Sequence, residues 1–115
     1  MDIESFHSFC LSKPGTTESS PFGPDVVVFK VMEKMFALMS ISGNMTVNLK
    51  NDPERNIELR DRFEGVIPGY HMNKEHWNTV SLDFDVPDGE ISEMVNQSYA
   101  LVVKGLPKKL QEELK

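Results

Sequence analysis

The 115-residue chain has room for one compact domain spanning residues 1–115, which excludes two independent catalytic domains. With 39% hydrophobic and 26% charged residues it can bury an unaided core, and its single cysteine, Cys10, excludes an intrachain disulfide and a cysteine-rich zinc site. Eighteen acids against twelve bases leave a net charge of −6, the reverse of the balance usual in chains dominated by phosphate binding.

The start, Met1-Asp2-Ile3-Glu4, is acidic where a signal peptide begins basic. No apolar run approaches the ~18 residues of a membrane span, so the expected compartment is the cytoplasm and no membrane partner is expected. Ile3, Phe6, Phe9 and Cys10 recur at spacings of three and four, predicting a helix over residues 2–13 that Asp2 caps and Pro14-Gly15 ends. Residues 16–21 read as a polar turn. The β-branched run Val26–Val31 is the first strand, Met35–Ile41 the second after a break at Glu33-Lys34, and Met45–Lys50 the third after a turn at Gly43-Asn44. In that third strand Met45, Val47 and Leu49 alternate with Thr46, Asn48 and Lys50, giving one buried and one wet face.

Asp52-Pro53-Glu54 begins a second helix: Asp caps, Pro suits the first position and Glu complements the dipole. It should end at Glu64-Gly65. Residues 66–70 form a short edge strand or turn, since Pro68 cannot donate to a central ladder. Trp77–Leu82 is the fifth extended segment, with Val80 and Leu82 on one face and Trp77, Thr79 and Ser81 on the other. Ile91, Met94, Val95, Ser98, Leu101 and Val102 follow helical spacing for about three turns, ended by Gly105. Pro107 begins a weak final helix. The reading is an α+β, two-layer domain with an antiparallel five-stranded sheet and helices in the order α-β-β-β-α-β-β-α.

Pro21-Phe22-Gly23-Pro24-Asp25, Phe29-Lys30-Val31, Lys34–Leu38, Asn48-Leu49-Lys50, Asp52-Pro53-Glu54, the block Pro68–Val80 and Ser98-Tyr99 together resemble the MmcQ/YjbR family of small bacterial proteins. The match runs from about residue 14 to residue 109. The resemblance implies a secretion-chaperone-like or frataxin-like arrangement and a double-wing DNA-binding role in which hairpins act as wings. It supplies no catalytic mechanism. The chain departs from the family at Asp83–Glu90, an acidic loop where members often have a tighter glycine-containing turn.

Charge is unevenly placed. Asp83, Asp85, Asp88, Glu90 and Glu93 fall in eleven residues without a base, so the rest of the chain is only −1 and can present a basic face. The candidate nucleic-acid contacts are Tyr70, His71, Asn73, Lys74, His76, Trp77, Asn78 and Lys50. They combine donors, a permanent cation, imidazoles and aromatics on one connector, the ingredients of phosphate contact and base stacking. The same residues also fit a structural account, in which Tyr70 and Trp77 cover the sheet edge while Asn73 and Asn78 close the turn. Other bases, Lys30, Arg55, Arg60, Arg62, Lys104, Lys108 and Lys109, would join these contacts only if their elements share a side. Glu54, Glu58 and Asp61 lie close enough to pair with the arginines.

His71 and His76, or His7 and Cys10, supply no recognised zinc set, and there is no phosphate loop or nucleophile elbow. No metal or cofactor is expected. The expected protein is non-enzymatic, with DNA as partner. The alternative is a protein-interaction or chaperone-like adaptor using the open sheet face around Trp77 and Thr79.

Overall fold

The computed structural model describes residues 1–43, 45–69 and 72–114. Helix α1 (Ile3–Leu11) starts where the Asp2 carboxylate accepts the Ser5 amide at 2.7 Å, and it buries Phe6 and Cys10, the stripe its spacing predicts. Strands β1 (Thr16–Ser19), β2 (Val26–Val31), β3 (Lys34–Ser40) and β4 (Thr46–Lys50) follow. After them come α2 (Pro53–Arg62), β5 (Val66–Pro68), β6 (Trp77–Ser81), α3 (Asp88–Lys104) and α4 (Lys108–Glu113).

The sheet has six antiparallel strands in the order β1-β2-β3-β4-β6-β5, which corrects the expected five. The additional strand is β1. Thr17, Glu18 and Ser19 stay exposed while pairing with β2, so no apolar alternation betrays them. The last helix, α4, also forms, and the element order is α-β-β-β-β-α-β-β-α-α. At the other edge Pro68 lies in β5, where its missing donor is tolerated.

The helices cover one face. Phe29, Val31, Ala37, Met39, Val47, Leu49 and Val80 point toward it and pack with Phe6, Leu59, Ile91, Val95 and Val102 in one core. A bulge at Phe36 lets this ring turn inward as well. There it meets Tyr99 edge-on at 5.3 Å, and Ser98, wholly buried, donates to the Phe36 carbonyl at 2.6 Å while accepting the Lys50 amide at 2.9 Å. Ser98 therefore fixes the ends of β3 and β4 onto α3. By the pleat, Val26, Val28, Lys30, Met35, Leu38, Asn48, Lys50, Trp77 and Thr79 point to the opposite face.

Candidate nucleic-acid interface

The connector between β5 and β6 is fastened at both ends. The Gly69 amide donates to the Trp77 carbonyl at 2.9 Å, and a Cβ on Gly69 would lie 3.1 Å from Trp77. The Asn73 carbonyl accepts the amides of His76 (3.1 Å) and Trp77 (2.9 Å), while its side chain accepts the Glu75 amide at 3.0 Å. Helix α2 then clamps the loop from below. Arg60 Nε donates to Asn78 Oδ1 at 2.6 Å, its Nη2 donates to the Lys74 carbonyl, and Asn56 Nδ2 donates to the Glu75 carbonyl at 3.0 Å. Asn78 Nδ2 in turn donates to the Asn56 carbonyl at 3.3 Å.

This network corrects part of the expected contact set. Asn78 is only 2% exposed, on the helix side with Val80, and its amide is spent on α2. Trp77 lies on the open face but is 9% exposed, so its ring is not a free stacking platform. Asn73 shapes the turn. Tyr70 and His71 lie outside the described residues. Lys74 is exposed, and His76 and Lys50 are half-buried, so these three keep side-chain surface for a ligand.

The arginines of α2 are also engaged. Arg55 pairs with Glu58 at 2.5 Å, and Arg62 pairs with Glu90 at 3.2 Å. The acidic loop is stitched down in the same region: Asp85 accepts the amides of Glu64 and Gly65 at 2.6 and 2.7 Å, and Asp88 pairs with the Met1 amine at 2.7 Å.

The lysines behave differently. None of the ion pairs among the described residues involves one. The antiparallel registers Val31↔Lys34 and Lys50↔Trp77 bring the end of β2, the start of β3, the end of β4 and the start of β6 to one end of the sheet. Lys30, Lys34 and Lys50 stand there. The Asn51 amide, next in the chain, bonds the His76 carbonyl at 2.9 Å and keeps the Lys74 loop at the same end.

A cleft of about 310 Å³ places Lys34, Met35 and Lys50 against Leu101, Val102, Gly105 and Leu106 of the α3 terminus. A second cleft sharing Leu101 adds Arg55 and Lys104. Glu33, Asp52 and Glu75 are interleaved with these bases, while Asp25, Asp83, Asp85 and Asp88 lie toward the opposite end. Lys34 carried no sequence signal of its own, because only the hairpin register brings it beside Lys50. Among the described residues no three His, Cys, Asp or Glu side chains are grouped to hold a metal, and no helix is long and apolar enough to cross a membrane.

The fold and site define a small two-layer α+β protein with a lysine-bearing sheet end. A model of the YjbR family matches residues 11–101, and the chain belongs to this family. It is 35% identical over 120 residues to the uncharacterized protein YbdF of Escherichia coli O157:H7, covering 100% of this chain and 98% of that relative. It is 34% identical over 115 residues to the uncharacterized protein YjbR of Escherichia coli K12, covering 99% and 98% of the two chains. The crystal structure of Deinococcus radiodurans protein DR2400, described as a DUF419 domain, superposes with a TM-score of 0.89 at 40% identity, covering 97% of this chain and 86% of that one. A Pseudomonas syringae protein superposes with a TM-score of 0.76 at 32% identity, covering 88% and 98%.

Proposed function

We propose that the chain is a non-enzymatic, DNA-binding or regulatory protein that meets the phosphate backbone with the lysine-bearing end of its sheet. The observation that supports this reading is the gathering of Lys30, Lys34, Lys50, Lys74 and Lys104 at one end, free of ion pairs among the described residues although Glu33, Asp52 and Glu75 lie between them. Lys30 and Lys34 flank the two-residue β2–β3 turn, so this hairpin is the better wing, whereas the loop at residues 83–87 carries acids that a phosphate would repel. His76 adds a donor beside Lys74, and Lys50 lies opposite Trp77.

The test is anisotropy of a labelled duplex titrated at several salt concentrations. If about four lysines neutralise phosphates, affinity falls roughly 100-fold between 50 and 200 mM salt, and Lys74→Glu lowers the log–log slope by about 1. Binding that ignores salt, or an unchanged slope in Lys74→Glu, rejects the reading.

A further inference from the structure

The open face of the sheet is not uniformly wet. Its β4–β6 half carries Thr46, Asn48, Thr79 and Ser81, with Thr79 Oγ donating to Asn48 Oδ1 at 2.5 Å. Its β2–β3 half instead carries the half-buried Val26, Met35 and Leu38, which leave an apolar floor that no helix covers, while Val28 on the same face is only 1% exposed. Phe22 from the β1–β2 loop and Met72 from the β5–β6 connector wall this floor and make it a groove of about 520 Å³. That volume lies in the range of ~300–1,000 Å³ typical of small-molecule sites. Phe22 is 70% exposed, an aromatic ring with little cover of its own.

One end of the groove is charged. Met35 belongs both to the groove and to the cleft that holds Lys34 and Lys50, and Lys30 is the cross-strand partner of Met35 on the same face. The apolar channel therefore runs into a set of lysines free of ion pairs among the described residues.

The geometry points to a second binding site on this face, for a single-chain amphiphile with one anionic head, its apolar body along Leu38 and Val26 and its head at Lys30 and Lys50. A phosphate backbone gains nothing from the apolar floor, and a protein partner needs a broad contact of roughly 800 Å² rather than a walled groove. An apolar body with an anionic end matches both parts. The apolar groove stands apart from the DNA reading, although Lys30 and Lys50 serve both.

The experiment uses the seven methionines as internal probes. Methyl-labelled protein is titrated, without nucleic acid, with dodecanoate below its micellar concentration. Saturable shifts are expected at Met35 and Met72. Met39 and Met94, 2% and 3% exposed in the main core, should stay fixed. Dodecyl phosphate should reproduce the shifts, and the Lys30→Gln, Lys50→Gln variant should weaken dodecanoate at least tenfold while keeping the dispersed spectrum of the folded chain.

Leu38→Asn should abolish saturation. Non-saturating shifts, shifts spread equally over core and groove methionines, or equal binding of dodecyltrimethylammonium would overturn the proposal. Saturable dodecanoate binding in a chain that binds no duplex removes the DNA reading alone, and the converse removes only this one.

Discussion

At Gly65 the backbone meets a carboxylate. Asp85 Oδ1 accepts the Gly65 amide at 2.7 Å, and a Cβ added there would sit 2.6 Å from that same oxygen. Gly65→Ala should therefore cost about 1–3 kcal/mol in denaturant unfolding, the usual range for overpacking. The same change in an Asp85→Ala background should cost much less, so the two substitutions are non-additive. Cys10 makes the opposite point about chemistry. Burial pushes its thiol up to about 12, although Lys13 pulls the other way. At pH 8 only about one thiol in ten thousand is ionised, so a thiol reagent should label Cys10 at the rate of chain opening. Labelling of the native protein within minutes, at a rate unaffected by denaturant, would contradict this.

Among the elements, the β2–β3 hairpin carries the clearest strain. Its two central residues, Met32 and Glu33, have φ of 47° and 67°, the left-handed pair that a tight hairpin turn requires and that Asn-Gly supplies best. Met32 packs against the core, so Glu33 is the place to relieve it. Glu33→Gly should stabilise by about 0.5–1 kcal/mol, raising Tm by roughly 2–4 °C, whereas Glu33→Gln removes the same charge and leaves the strain. The elements differ in how far the sequence reveals them. In α3, Ile91, Met94, Val95, Ser98 and Val102 are buried at the predicted spacing, because a helix against a core must repeat that way. Strand β1 was invisible, since an edge strand with a wet Thr-Glu-Ser run needs only a neighbour's backbone. At the candidate site, parity along β6 already set Asn78 beside Val80 rather than with Trp77. Its bond to Arg60, eighteen residues earlier in the chain, was not legible, because it depends on where α2 packs.

On the scale of the whole molecule, net charge and charge placement make different predictions. Helix α3 runs from Asp88 to Lys104, and its 17 residues span about 25 Å, well beyond the ~10 Å over which charges act at 0.1 M salt. The principal extents of 39 × 32 × 25 Å leave room for two electrostatically separate ends on a chain whose total is −6. If total charge governed duplex binding, Asp83→Asn with Glu93→Gln would strengthen it as much as Lys34→Gln with Lys74→Gln weakens it, since each pair moves the net charge by two. If placement governs, the lysine pair should weaken binding about tenfold at 0.1 M salt and the acidic pair should change it less than twofold. The two variants share exposed positions far from the core, so folding is preserved in both and anisotropy compares them directly. Equal and opposite shifts would mean that the lysine end has no special part in binding, and that any affinity comes from diffuse attraction alone.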